Sequence, residues 1–189
     1  SRNAEAIGRW VASKGSAQVP CAASESPDVC GHRFIDSLAE RAFRRPIDEG
    51  ERSRLRGLFD AELAASNYAG AIEAVTRAVL LAPHFLYRVE VGAPGTGNTQ
   101  GLNVLNDWEL ATRLSYALTA FPPDSVLRDA ANSGKLTKPG GLAEQARRLL
   151  ATDQGRAVVR SFFDQWLHVE AMDHIVKDPR YFPSYTPAD

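Results

Sequence analysis

Cysteine is scarce in this chain. Only two of its 189 residues are cysteines, Cys21 and Cys30, and both lie in the segment PCAASESPDVCGH, which has the composition of a loop. Their spacing does not match the usual zinc ligand pairs, and the C-x-x-C-H sequence that attaches c-type haem is absent. Because Cys30 and His32 bring a thiol and an imidazole together, a metal or haem site is the alternative interpretation. The spacing of the two cysteines in a short loop agrees better with a Cys21–Cys30 disulfide in an exported protein than with a metal or haem site. Such a disulfide would add about 2–3 kcal/mol of stability.

Long apolar runs are also missing. The longest covers residues 78–83, whereas a membrane-spanning helix needs roughly 20 apolar residues. No membrane span is therefore predicted. The first ten residues, SRNAEAIGRW, lack the apolar centre of a signal peptide and do not begin with Met. We expect that a leader or a larger upstream region has been removed, as in a protein that acts in the periplasm or at the cell surface.

Charge of one sign is not in excess. Lys and Arg number 22 and Asp and Glu number 23, which gives a formal net charge of -1. A protein with this balance has no global positive field, so we expect no binding to nucleic acid. Two basic pairs occur, Arg44–Arg45 and Arg147–Arg148, each among acidic neighbours. We predict that both pairs lie on solvated helix surfaces.

No stretch alternates apolar and polar residues as a half-buried strand would, and apolar residues recur instead at steps of three and four. The pattern predicts an all-α fold, an irregular bundle of about six to seven helices with an extended N-terminal arm and an irregular C-terminal tail. The expected organisation is an arm with a short helix and the cysteine loop over 1–31, a first helical group over 32–91, a Gly-rich linker over 92–105 and a second helical group over 106–189.

The richest apolar helical patterns are AIEAVTRAVLLAPHFLYRVE, over residues 71–90, and DWELATRLSYAL, over residues 107–118. Proline cannot donate a backbone hydrogen bond and crowds the preceding turn, so Pro83 predicts a kink or a restart at Leu81–Ala82. Arginines on these helices need acidic partners wherever they are buried. We expect structural ion pairs, rather than a substrate clamp, among five residues: Arg77, Arg88, Arg113, Glu90 and Glu109.

Two histidines near the C-terminus form the candidate metal site. His168 and His174 flank Glu170 and Asp173, and histidines close to carboxylates are typical of metal sites. The spacing is not that of the H-E-x-x-H motif, however, and the last predicted helix ends here. A histidine at a helix C-terminus also has a purely structural explanation, since its cationic form interacts favourably with the helix dipole. No serine or cysteine lies in a recognised nucleophile motif.

Five segments together resemble the helical region of the planctomycete-type cytochrome-associated family, a set of exported bacterial proteins of unknown function. The segments are RAFRRPIDEGE (41–51), LLAPHFLYRVE (80–90), ELATRLSYAL (109–118), PPDSVLRDAANSGKL (122–136) and ARRLLATDQGRAVVRSFFDQWL (146–167). The resemblance implies an all-helical region of an exported protein and proximity to haem, which we expect in a partner or a missing domain because the chain has no C-x-x-C-H sequence. The family continues beyond FPSYTP, so we expect the second helical group to be truncated relative to it.

These observations favour a helical scaffold or partner-binding module that belongs to an exported, cytochrome-associated complex and binds other protein chains or domains. The alternative is an enzyme or electron-transfer subunit whose haem or metal centre is completed by another chain or by missing C-terminal sequence. In that case His168 or His174 would be the ligand. No catalytic residue and no cofactor of this chain itself is predicted.

Overall fold

The computed structural model of the chain describes residues 2–14, 24–92, 95–96, 102–169, 178 and 180–184. Over these residues all the regular structure is helical and no strand occurs, which confirms the all-α prediction. The helices are α1 Arg2–Lys14, α2 Pro27–Phe43, α3 Glu49–Ala65, α4 Tyr68–Leu81, α5 Pro83–Leu86, α6 Asp107–Thr119, α7 Ser125–Asn132, α8 Gly141–Leu150 and α9 Asp153–Trp166.

The helices outnumber the six to seven expected, in part because the chain breaks at Pro83. Ala82 adopts an extended conformation (φ -66, ψ 140), ends α4 and also precedes the first residue of α5. Proline is favoured at the first position of a helix, where its missing N–H is not needed. The predicted break at Leu81–Ala82 is therefore a restart of the helix rather than a kink.

The chain divides into two compact units, Ser1–Val91 and Gly92–Asp189. In unit 1, helices α1, α2 and α3 pack against α4, whose Ile72, Val75 and Val79 are buried together with Phe59 of α3. Helix α1 comes close to α4 at Gly8, where an added Cβ would lie 3.0 Å from the Glu73 carbonyl oxygen. The short helix that the sequence placed in an N-terminal arm is thus part of unit 1.

Helix α2 begins at Pro27, before the expected start at His32, because Ser26 is extended and Pro27 supplies the first helical position. This places Gly31 within the helix, where a Cβ would lie only 2.0 Å from the Phe59 ring. Cys30 is fully buried beside it, and no described cysteine is free. Cys21 lies outside the described residues, so its pairing with Cys30 stays a prediction.

In unit 2, the core consists of apolar residues from α6, α7 and α8 and from the loop before α8. The Asp107 carboxylate fixes that loop by accepting hydrogen bonds from the amides of Leu136 (2.7 Å) and Thr137 (3.2 Å). Asn106 and Glu109 form a capping box at the start of α6. Among the described residues no helix is long and apolar enough to cross a membrane.

Candidate functional site

Helix α9 starts in close contact with the end of α8. Thr152 caps it by accepting a hydrogen bond from the Gly155 amide at 3.1 Å. Gly155 is buried, and a Cβ added there would lie 2.2 Å from the Leu149 carbonyl oxygen. Only glycine allows the two backbones to approach this closely. The first turn of α9 is therefore anchored in unit 2.

The apolar side of α9 continues from that anchor toward the C-terminus. Successive residues turn by about 100° around a helix axis, so Val159, Phe162 and Trp166 follow Gly155 on one side, with Phe163 beside them. Leu167 extends the same surface just after the helix. We call these five residues, Val159, Phe162, Phe163, Trp166 and Leu167, the α9 aromatic face.

The α9 aromatic face is exposed. Phe162 is 59%, Phe163 45% and Trp166 65% accessible to solvent. Single exposed apolar residues are common on protein surfaces, but a contiguous group of large ones marks an interaction site. The side of α9 that begins packed against α8 thus becomes an open apolar surface two turns later.

The three rings of this face contact each other in an ordered cluster. Phe162 and Phe163 meet edge to face at 5.4 Å between ring centroids, and Phe162 stacks on Trp166 at 6.0 Å with an interplanar angle of 29°. Phe163 completes the triangle at 6.0 Å from Trp166. Such pairs contribute about 0.5–1.5 kcal/mol each beyond area burial, so the rings hold one another in place before any partner arrives.

The opposite side of α9 is polar. Arg156 pairs with Asp153 at 2.5 Å, and the Gln165 amide donates to the Ser161 hydroxyl at 2.9 Å. These residues, with Arg160 and Asp164, line a shallow hollow of about 420 Å³. Because acidic and basic groups alternate there, the hollow has no excess charge to attract a charged ligand.

Neither histidine of the predicted metal site is shown to bind a metal. His168 is exposed just after α9 in a left-handed conformation (φ 52), whereas His174 lies outside the described residues. In the described part of the chain no group of three or more His, Cys, Asp or Glu residues could hold a metal ion. Metal binding by this pair stays a prediction.

The residues predicted to form structural ion pairs lie at several separate places. Arg77 is 3.9 Å from Glu5 of α1, and both side chains are half-exposed. Glu109 accepts hydrogen bonds from the amides of Asn106 (2.9 Å) and Gly92 (3.0 Å), so it caps α6. Arg88, Glu90 and Arg113 are exposed. Arg77 therefore forms a surface ion pair within unit 1, and pairing among the five residues stays a prediction.

The buried arginine of unit 1 is Arg44, which the sequence placed on a solvated surface. That prediction was wrong: Arg44 is only 7% exposed. Its guanidinium donates to the carbonyl oxygens of His84 (2.6 Å), Tyr87 (2.9 Å) and Phe85 (3.4 Å). It thereby satisfies backbone acceptors of the turn around α5. The only signal in the sequence was position, since Pro46 forces α2 to end and residue 44 must turn the chain.

Arg45 and Glu51 form a second ion pair next to this turn. The Arg45 guanidinium donates to both oxygens of Glu51, at 2.8 and 2.7 Å, and His84 Nδ1 lies 3.7 Å from Glu51 Oε1. The hydrogen bonds from Arg45, with that from the Asp48 amide, lower the pKa of Glu51 to about 2 against the opposing effect of burial. We call Arg44, Arg45, Glu51 and His84 the α5 junction.

The α5 junction fixes a turn whose apolar side chains point outward. Phe85, Leu86 and Tyr87 are all exposed, although the backbone beneath them is held by a buried arginine. Each unit therefore carries exposed apolar side chains on an ordered backbone, and those of α9 are the more contiguous of the two sets.

Two comparisons with family models give matches. Residues 30–90 match a model described as PSD5, protein of unknown function (DUF1595), and residues 105–189 match one described as PSD4, protein of unknown function (DUF1592). Both halves of the chain resemble families of unknown function. Searches of curated proteins and of solved structures found no match.

The two matches fall on different units. The segment similar to DUF1595 lies within unit 1 and contains the α5 junction, whereas the segment similar to DUF1592 lies within unit 2 and contains the α9 aromatic face. Each family description thus corresponds to one compact unit with its own core. The matches support a protein built from two helical modules of unknown function.

Proposed function

We propose that this chain is a helical scaffold that binds another protein chain or domain through the α9 aromatic face, as part of an exported, cytochrome-associated assembly. The observation that carries the proposal is the exposure of Phe162, Phe163 and Trp166 on one continuous side of α9. Aromatic residues are enriched at the centres of protein interfaces, where they supply a large contact area at a small entropic cost.

The geometry of the surrounding polar groups supports binding over catalysis. Around the α9 aromatic face, the described charged groups are paired or lie on the polar side of the helix. A catalytic site needs a nucleophile, acid or base with a perturbed pKa in a cleft. The strongly shifted carboxyl group, Glu51, is instead held by Arg45 within the α5 junction.

Location outside the cytoplasm is the second part of the proposal. It is supported by the two cysteines and by the family resemblance of the five segments, and it predicts the Cys21–Cys30 disulfide. The haem of a cytochrome-associated assembly would then reside in a partner or in another domain, because the chain has no C-x-x-C-H sequence.

A charged substitution in the face, with a matched control, tests partner binding. Phe162→Asp places a charge at the centre of the cluster, whereas Phe121→Asp changes a phenylalanine of equal exposure (58%) outside α9. In affinity capture from an extract of the source cells, we expect a stoichiometric partner with the unmodified chain and with Phe121→Asp, and its loss with Phe162→Asp. A partner retained equally by both variants would refute the assigned surface.

An absorption spectrum and a metal analysis of the purified chain separate the scaffold from the alternative, an enzyme or electron-transfer subunit. We expect neither a Soret band nor a stoichiometric metal. Either signal would overturn the scaffold function and would direct attention to His168 and His174 as ligands, which replacement of each histidine by alanine would test.

A further inference from the structure

We infer that the α9 aromatic face binds a second copy of this chain, so that two α9 helices pack against each other across a two-fold axis. This inference rests on the proposed function, because it names the partner of the same surface. Homodimers with two-fold symmetry are the commonest soluble oligomers, and in them one patch must be complementary to itself.

The area of the face is sufficient for such a contact. A buried aromatic side chain covers about 150–250 Å². The exposed fractions of the three rings, with Val159 and Leu167, therefore leave roughly 500 Å² of apolar surface on each copy. Two copies would bury roughly 1,000 Å² in total, the lower limit for a specific interface. A dimer that forms reversibly is the expected result.

The spacing along α9 suits a helix pair. Val159, Phe162 and Trp166 lie three and four residues apart, which is the spacing that forms the contact seam between two packed helices. The rings are already ordered by their mutual contacts, so pairing costs little further side-chain entropy. An ordered aromatic seam can meet its own copy without a separate pocket.

The charges around the face do not oppose pairing. Arg156 is neutralised by Asp153, and Arg160 has Asp164 one helical turn away on the polar side. The formal net charge of the chain is only -1. Two copies therefore approach without strong like-charge repulsion, which would otherwise outweigh a contact of this size.

Sedimentation velocity over a hundredfold range of concentration tests the inference with the purified full chain. We expect the unmodified chain and Phe121→Asp to shift from monomer to dimer as concentration rises, with a dissociation constant on the order of micromolar or weaker. Phe162→Asp should raise that constant at least tenfold. Equal helix content and equal thermal unfolding of the two variants, measured by circular dichroism, exclude misfolding as the cause.

Three results would overturn the inference. The first is an unmodified chain that stays monomeric at every concentration, and the second is a dimer that Phe162→Asp leaves intact. The third is a monomer that captures a different protein through the α9 aromatic face. That third result would refute the second copy as partner while supporting the proposed function, so failure of the inference and failure of the function are distinguishable.

Discussion

Replacing Arg44 by glycine tests whether the α5 junction stabilises unit 1. Arg44 has a left-handed backbone (φ 60) at the end of α2, a conformation that glycine adopts without strain. Relief of the left-handed backbone strain favours the folded Arg44→Gly variant, whereas the greater conformational entropy of glycine favours its unfolded chain. The backbone alone therefore predicts that Arg44→Gly stabilises the protein by about 1 kcal/mol or less.

The side chain of Arg44 predicts the opposite sign. Two of its hydrogen bonds to backbone carbonyls are short, at 2.6 and 2.9 Å, and bonds from a charged group contribute about 1.5–3 kcal/mol each. Their loss outweighs the relief of backbone strain. We expect Arg44→Gly to lower the free energy of unfolding of unit 1 by about 3 kcal/mol.

Ala120 provides the matched control. It also has φ 60 and also ends a helix, α6, but it is exposed and its side chain makes no hydrogen bond. Only the backbone effect operates there, so Ala120→Gly should raise the free energy of unfolding of unit 2 by about 0.5–1 kcal/mol. The same replacement at the same φ should thus act with opposite signs at the two positions.

The free energy of unfolding of both variants can be measured in urea with amide hydrogen exchange as the probe, because exchange reports on each unit separately. A second expected effect of Arg44→Gly is faster exchange at the Tyr87 amide, which donates to the Pro83 carbonyl at 2.8 Å in the unmodified turn. If Arg44→Gly were neutral or stabilising, as Ala120→Gly should be, the assignment of Arg44 as the residue that holds the α5 turn would be refuted.

Four further predictions concern single features of the chain. The pKa of Glu51 is about 2 in the folded protein against an ordinary 4.5, so its ionised form should add about 3 kcal/mol to the free energy of unfolding above pH 4.5. This contribution should be lost as the pH falls from 4.5 toward 2. In Glu51→Gln, the free energy of unfolding measured with urea should lack that pH dependence. Gly155→Ala should destabilise unit 2 by about 1–3 kcal/mol in thermal unfolding, since its Cβ would overlap a backbone carbonyl of α8. Gly57→Ala, where a Cβ meets nothing within 4 Å, should stabilise by about 0.5–1 kcal/mol. Intact mass with thiol labelling should show that Cys21 and Cys30 react only after reduction; two free thiols in protein from an oxidising compartment would contradict export.

The helices could be predicted from sequence where local chemistry determines them. Asp48–Glu51 and Asn106–Glu109 have the residue types and the spacing of a capping box, and both boxes form, with Asp48 accepting from the Glu51 amide at 2.7 Å. Pro83 ends α4 for the same kind of reason, since a proline cannot continue the hydrogen-bond ladder. In each case residues at most four apart decide the outcome.

Features that depend on contacts distant in sequence could not be predicted. Gly31 looked like the end of a loop, but it lies inside α2, where the absence of a Cβ leaves room for the Phe59 ring. Arg44 looked solvated because it belongs to a basic pair among acidic neighbours, yet its acceptors are carbonyls forty or more residues away. A single sequence contains no signal that joins such positions.

The exposure of the α9 aromatic face could not be predicted from the sequence either. Val159, Phe162 and Trp166 have the spacing of a core helix, and the first turn of α9 is indeed packed at Gly155. The hydrophobic pattern of a helix indicates which side is buried, but it does not indicate whether that side packs against the same unit or against another molecule. In unit 1 the equivalent side of α4 is covered by α1, α2 and α3. In unit 2 the described residues leave the C-terminal half of that side open, and the free energy not gained within the unit remains available for association.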